Sequence, residues 1–415
     1  MAGEVSESTG TATTEADLRR ILAIQALRAA AYGFGAVILG SALEAEGRSQ
    51  VETGVLFAAM LAGTAVVSLL VGLLSERIGR RRTYVALIAV MGVAGVVFAL
   101  AGPVWALVAV ALTGTMSTDA NESGPITSLE QAMIGGAPAS ARVHVFGRYN
   151  AVAYLAGALG ALAAGGPDFL GDLWDGAPTD RTWLLAFPVV AAVCLAIARG
   201  LSPSVEASGG SGVRGRSQGT RERPLTRSRD NVVRLSGLFA LDSFAGGFVV
   251  TTFVVFWFAR EFGASTTTMS LVVFAGGLLQ AASSIVAARV GARFGLLRTM
   301  VFTHLPSNLL LAAVPFAPSL GPGIAILLAR FSLSQMDVPT RQAYIAAMVD
   351  PEERVAAAAF TNAARYVSRP FGPLAGAALT SAVGAGGPFV AAGALKIVYD
   401  LAVWAAFKRV PVPDA

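Results

Sequence analysis

The chain has 415 residues, 54% of them hydrophobic and 14% charged, with a formal net charge of +5, whereas a soluble domain carries about a quarter of its residues as charges. This composition excludes an ordinary soluble protein. The gathering of Arg in particular loops excludes a single basic nucleic-acid-binding domain, and the one cysteine, Cys194, excludes an intramolecular disulfide.

From the N-terminus, residues 1–21 are polar and acidic (Glu4, Glu7, Glu15, Asp17) and lack the basic start and small-residue cleavage site of a signal peptide, so they read as a tail before a retained helix. Apolar runs long enough to cross a bilayer then recur, since a helix rising 1.5 Å per residue needs roughly 20 residues. Run length, Gly/Pro breaks and charge clusters predict six spans near 22–44, 53–75, 83–101, 104–133, 144–165 and 182–199. A Gly/Ser/Arg-rich segment over 200–231 has too few large apolar residues to fold alone and is expected to be a linker whose arginines orient the chain or touch anionic lipid head groups. Six more spans follow near 232–258, 267–291, 299–316, 322–348, 355–384 and 387–407, and 408–415 forms a second tail. The fold class is all-α: twelve transmembrane helices in two pseudo-symmetric six-helix bundles, 22–199 and 232–407.

Twelve spans put both termini on one side. Arg77 to Arg82, Arg293, Arg298, Arg354, Lys408, Arg409 and the linker all fall on that side, while the opposite loops carry little beyond Arg48, Arg181 and Arg260. The positive-inside rule makes the terminal side cytoplasmic, in a multi-pass protein of the cell membrane. The halves also repeat at an offset of about 213 residues. Gly33 answers Gly246, Arg77-x-Gly79 answers Arg293-x-Gly295, Pro125 answers Pro339, and Arg142 with Asn150 answers Arg354 with Asn362. Matches in the same order imply a duplicated unit. Pro125 and Pro339, each expected inside a helix, should kink it.

Between the second and third spans stands GLLSERIGRRR, with five charges in the seven residues Glu76 to Arg82. Gly72 and Gly79 suit a close helix approach and a sharp turn, and the arginines hold the loop out of the bilayer. Glu76 can satisfy helix N-terminal amides or an arginine. Asp350-Pro351-Glu352-Glu353, at the start of the eleventh span, has the pattern of an N-cap, a first-turn proline and first-turn acids. The motif Gly72-x-x-x-Glu76-Arg77-x-Gly79-Arg80-Arg81 resembles the signature loop of the major facilitator superfamily, with Glu where Asp is commoner. A decayed copy, ARVGARFGLLR, lies at 288–298 with Ala292 in place of the acid. The resemblance covers essentially the whole chain. It implies a cytoplasmic gate in which Arg77, Arg80 and Arg81 meet Glu352 or Glu353 across the two halves. Anchoring of topology alone is the other reading of these charges.

Ionisable residues inside spans are costly and face a cavity or a partner. Here they include Arg28 with Tyr32, Glu122 with Asp119 and Glu130, Asp242, Arg330, Asp337, Arg341, Asn362, Arg365, Arg369, Lys396 and Asp400. Arg330, Ser334, Asp337, Arg341 and Tyr344 fall at steps of four and three, along one face of a continuous tenth helix. The resemblance implies that spans 1, 4, 7 and 10 line the cavity, which makes this stripe part of a transport path. Alternatively Asp337 only neutralises its arginine neighbours. Asp242 and Asp337 are the candidate proton carriers, and Arg28 is expected to pair with Glu122, with Asp119 as competitor.

Neither lysine follows a phosphate-binding Gly-rich loop, and His144, His304 and Cys194 form no recognisable metal site, so no cofactor, metal or enzymatic activity is expected. The expected activity is secondary active transport of a small organic solute by alternating access in a monomer, proton-coupled and exporting. Two alternatives stand beside it: a symporter or uniporter of a sugar or organic anion, and a membrane sensor with the same fold that moves nothing. The helix 4 arginine and helix 5 Gly-Pro usual in drug/proton antiporters are missing; helix 5 has only Gly157-x-x-Gly160, and Gly372-Pro373 lies in the other half.

Overall fold

A computed structural model describes residues 15–117, 124–134, 139–173, 181–207, 227–350 and 353–410, and every regular element among them is helical. The N-terminal half contains α1 (Glu15–Ala45), α2 (Gln50–Ile78), α3 (Arg80–Leu100), α4 (Val104–Ala111), α5 (Pro125–Ile134), α6 (Ala139–Ala163), the short α7 (Gly166–Leu173), α8 (Ala186–Ala198) and a one-turn α9 (Ser204–Ala207). The C-terminal half contains α10 (Arg229–Phe248), α11 (Thr251–Phe262), α12 (Thr266–Phe294), α13 (Leu296–Ala313), α14 (Leu320–Ser334), α15 (Asp337–Met348), α16 (Arg354–Ser368), α17 (Phe371–Val383) and α18 (Gly387–Phe407).

Eight stretches are individually long and apolar enough to cross a membrane among the described residues. The other four expected spans are interrupted or more polar. Span 4 is split into α4 and α5, span 10 into α14 and α15, and span 11 into α16 and α17, while α6 carries Arg148, Tyr149 and Asn150. Span 7 is likewise broken between α10 and α11. Counted with these breaks, the order of elements accommodates twelve spans in two six-helix bundles. Large apolar side chains such as Leu69, Leu73, Val93, Val189, Ile285 and Leu309 lie exposed on the outside, as a lipid-facing belt requires.

Two expectations about local structure are corrected. Pro125 is the first residue of α5 and Pro339 the third of α15. Both therefore start a new helical segment, where the missing N–H would have no intrahelical partner, and neither kinks a continuous helix. The first helix begins at Glu15, inside the expected tail, because Asp17 is used. Its carboxylate, fully buried, accepts from the Ser202 N–H at 3.0 Å, Ser202 Oγ at 2.6 Å and Ser204 Oγ at 3.1 Å, fastening the start of the linker to the first bundle.

The duplication is visible in the caps. Helices α2 and α12 each have 29 residues, begin with a serine N-cap (Ser49, Ser265) and end on a glycine of positive φ, Gly79 at 100° and Gly295 at 88°. A side chain in that conformation would be strained, which explains the two R-x-G matches. Span 1 lies against α6 with almost no gap. A Cβ built on Gly33 falls 2.9 Å from the Ala161 nitrogen and closer still to the Gly157 carbonyl, and one on Gly160 meets the Ala30 backbone. The Gly157-x-x-Gly160 pair is thus a helix-packing surface.

The halves meet mainly through α1 with α11, α2 with α17 and α6 with α12. The last two pairs exchange under the pseudo-twofold that relates the bundles. All three contacts lie away from the terminal side: Gly40 faces Thr252 and Val255, Gly54 faces Pro373 and Ala377, and Gly277 faces Ala158. Hydrogen bonds reinforce the same side. Asp168 accepts from the Thr267 N–H at 2.9 Å and Oγ1 at 3.0 Å, and Arg260 donates to the Arg48 carbonyl at 3.3 Å.

Candidate functional site

Between the halves lies a cavity of about 590 Å³, within the range that holds a small organic ligand. The N-terminal half supplies Gln131, Tyr154 and Ala158 to its wall. The rest comes from the C-terminal half. The breaks in spans 7, 10 and 11 matter here, because Val249, Val250, Gln335 and Arg369, at or beside the breaks, all line the cavity. Interrupted helices put unpaired backbone groups and polar side chains where a continuous apolar helix could not, and in a membrane such breaks are tolerated only against protein or a water-filled space.

The wall is strongly charged. Lys396 Nζ on α18 donates to Asp242 Oδ1 on α10 at 2.6 Å; Arg341 on α15 reaches Asp242 Oδ2 at 3.6 Å and donates to Asp337 Oδ2 at 3.1 Å. This chain of two carboxylates and two cations ties spans 7, 10 and 12 together. Arg330, Arg365 and Arg369 face the same space, so five basic side chains stand against two acidic ones. One layer behind, Asp400 on α18 is paired with His304 Nδ1 at 2.9 Å and accepts from Asn308 Nδ2 at 2.9 Å, both on α13. Only His304 of these three reaches the wall.

The tenth-span stripe is corrected by the break at Gln335 and Met336. Arg330, Ser334, Asp337 and Arg341 line the cavity, but from two helical segments, and Tyr344 points into a core with Phe239, Tyr399 and Phe407.

In the N-terminal half, the partner of Arg28 among the described residues is Glu130. Arg28 Nη2 meets Glu130 Oε2 at 2.6 Å and its Nε meets Oε1 at 3.3 Å, while Tyr84 and Tyr149 hydroxyls each donate to Glu130 at 2.6 Å. Gln25, Thr127 and Tyr32 complete the shell, and the Tyr32 hydroxyl donates to the Thr115 carbonyl at 3.0 Å. Arg28 is 1% exposed and Glu130 fully buried, so Arg28 and Tyr32 sit in a sealed cluster and not on the cavity wall. The expected partners Glu122 and Asp119 lie outside the described residues.

Of the expected latch across the terminal side, the described residues show these contacts within each half. Glu353 accepts from the Arg227 N–H at 3.1 Å and the Ser228 N–H at 3.0 Å, capping the start of α10 within its own half. The signature loop is held by Glu206 on α9, which accepts from the Arg80 N–H at 2.6 Å and the Arg81 N–H at 3.0 Å, while Arg81 Nη2 donates to the Arg199 carbonyl at 2.8 Å. A carboxylate at the bare amides of a helix start needs no partner from the other bundle. Arg77 is exposed, and a Cβ on Gly72 would meet nothing within 4 Å, so no close helix approach uses Gly72 here. The Glu76 side chain and Glu352 lie outside the described residues.

Of the expected pathway residues, the wall brings together Asp242, Arg330, Asp337, Arg341, Asn362 and Arg365. Sequence reasoning noted but did not select Glu130, Lys396 and Asp400, and it gave Tyr84, Tyr149 and Asn308 no role. The available signal was that each intramembrane charge must find a partner. Choosing which partner needs the fold.

Comparison with known proteins agrees with this architecture. The Major Facilitator Superfamily profile matches residues 235–415, and that of the Sugar (and other) transporter family matches residues 8–165. An uncharacterized membrane protein of Saccharomyces cerevisiae is 26% identical over 387 residues, covering 86% of each chain. Among solved structures, the nucleoside transporter NupG superposes with a TM-score of 0.73 at 13% identity, covering 95% of this chain and 100% of that one. A bacterial homolog of the human lysosomal transporter Spinster gives 0.70 at 16% identity (95% and 96% covered), and the inward-open xylose transporter XylE from E. coli gives 0.67 at 16% (96% and 97%).

Proposed function

Given that the chain belongs to the major facilitator superfamily, we propose that it is a proton-coupled secondary active transporter, moving a small polar solute across the cell membrane by alternating access. One observation carries the reading: a polar cavity lies on the seam between two bundles whose closest packing, among the described residues, lies on one side of it. Rocking about that seam would expose the cavity to the other side while each bundle keeps its own buried ion pairs, with one apolar cluster continuing across the packed side of the seam.

The basic loops make the terminal side cytoplasmic, so the cavity opens inward in this conformation. Asp242 and Asp337 are the proton carriers in this account. Each is a carboxylate on the wall held by a cation, and protonation of either releases that cation. The solute enters on the same groups, so its binding and the protonation of these carboxylates are coupled through one network. Export by proton exchange is one direction of this device. Import by symport is favoured by the hydrophilic wall, and the similar fold of a D-xylose–proton symporter supports that direction. A single chain completes the site, so the working unit is a monomer.

The test is reconstitution into liposomes with a pH-sensitive dye inside, challenged with a panel of sugars, nucleosides and organic acids under an imposed proton gradient. Solute-dependent proton movement, lost in Asp242→Asn, is the expected result. Proton flux that no solute alters would refute the reading and favour a sensor that moves nothing.

A further inference from the structure

The cavity wall carries a cation that pairs with no carboxylate among the described residues. Arg365 lies on α16, and its backbone is fixed: its carbonyl accepts from Ser243 Oγ on α10 at 2.9 Å and from Ser368 Oγ at 3.1 Å. Arg365 lines the cavity, and its Nε is buried with no hydrogen-bond acceptor among those residues. The two wall carboxylates are already engaged, Asp242 by Lys396 and Arg341, and Asp337 by Arg341. Arg330 and Arg369 add positive charge to the same wall.

An arginine inside a membrane protein that lacks a carboxylate is stabilised by whatever anion occupies the space in front of it. A planar guanidinium with an unused donor also matches an oxyanion in two parallel hydrogen bonds, which a lysine would not. We propose that Arg365 is the docking residue for the anionic group of the solute, and that the solute is a small hydroxylated organic anion, a carboxylate or phosphate ester. The neutral remainder of the wall fits the body of such a molecule. Gln280, Gln335, Gln342 and Asn362 on one half, with Gln131 and Tyr154 on the other, offer amide and hydroxyl groups able to donate and accept. An anion held on Arg365 also lies beside the Lys396–Asp242 pair, so its arrival competes with Asp242 for Lys396 and leaves that carboxylate free to take a proton. This inference rests on the transporter reading above and adds the class of solute.

Charged thiol reagents test the wall directly, whatever the solute is. Cys194 is the single cysteine and is buried, so a Cys194→Ser background carrying Asn362→Cys places one thiol on the wall, one helical turn from Arg365. Reaction rates of the purified full chain with an anionic (sulfonatoethyl) and a cationic (trimethylammonioethyl) methanethiosulfonate are each normalised to a free thiol. The anionic reagent should be favoured by about tenfold, the preference should fall severalfold with Arg365→Gln, and Arg365→Lys should retain most of it. A parent that prefers the cationic reagent, or an Arg365→Gln variant with an unchanged ratio, overturns the proposal. A parent preference for the cationic reagent overturns the proposal even where Arg365→Gln folds poorly. If neither reagent reacts, the cavity is closed to water and the transporter reading falls as well. Protection of the thiol by glucuronate or by glucose 6-phosphate, with glucose ineffective, supports the proposal and tells carboxylate from phosphate; protection by glucose alone overturns it while leaving transport intact.

Discussion

The Arg28–Glu130 pair offers the sharpest energetic test of how the N-terminal bundle is held. Glu130 collects charge-assisted bonds from Arg28, Tyr84 and Tyr149, and so joins spans 1, 3, 4 and 5 through one carboxylate. With Arg28 1% exposed and Glu130 fully buried, removing either leaves the other as a stranded charge. Breaking a buried pair in this way costs about 3–5 kcal/mol, whereas replacing both partners by apolar groups of similar volume is often close to neutral. Arg28→Met and Glu130→Leu should therefore each lower the apparent melting temperature of the detergent-purified protein sharply. The double variant should melt above either single one, with a coupling energy of roughly 2–4 kcal/mol. Because neither residue lines the cavity, the double variant should also keep transport once folded. Additive losses would show that the pair does not exist as described. A stable double variant without transport would mean that Arg28 touches the solute after all.

Other outcomes follow from the same contacts. Asp337→Asn should stop gradient-driven transport in liposomes while sparing solute exchange, and full gradient-driven accumulation by the variant would remove Asp337 from the coupling path. Thr267→Val takes away one hydrogen bond to Asp168 on the closed side; at about 1 kcal/mol per bond it should raise thiol accessibility of cavity positions from that side by about fivefold, and unchanged accessibility would show that this contact does not close the seam. Glu206→Gln weakens the cap on α3, so amide exchange at residues 80–83 should speed up by about tenfold, corresponding to roughly 1 kcal/mol or a little more; equal exchange rates would assign the loop's order to other contacts. Gly160→Leu puts a side chain into the Ala30 backbone and should abolish a monodisperse peak in size-exclusion chromatography, and a normal peak would mean that α1 and α6 separate at little cost.

The two-bundle fold was legible because its signals are repeated and local. Apolar run length marks spans, Arg clusters mark one side of the bilayer, and R-x-G recurs because both Gly79 and Gly295 take a positive φ at matching helix ends. The charges facing the cavity were also legible, since Asp242, Asp337, Arg341 and Arg365 stand out in apolar sequence. Pairing was not. Glu130 stands among several acids of the fourth span, and only the fold shows that it meets Arg28. Nor were the partners of the acids near the terminal side legible: Glu353 caps bare helix amides of its own half, and Glu206, in a segment too polar to attract notice, does the same for the signature loop. Arg48 and Arg260, which in the sequence only marked the sparsely charged opposite loops, lie on the seam, as does Asp168.

The central claim is that the two bundles rock about a seam. Spans 2 and 11 report both of its ends, since Val51 and Val383 lie on the packed side and Leu74 and Phe360 toward the terminal side, all four exposed. Spin labels at each pair in a Cys194→Ser background, followed by double electron–electron resonance in lipid nanodiscs between neutral and acidic pH and with the solute panel, measure the two distances. The account predicts reciprocal change, the Val51–Val383 distance lengthening in the same conditions that shorten Leu74–Phe360. A single fixed distance for both pairs in every condition would contradict it.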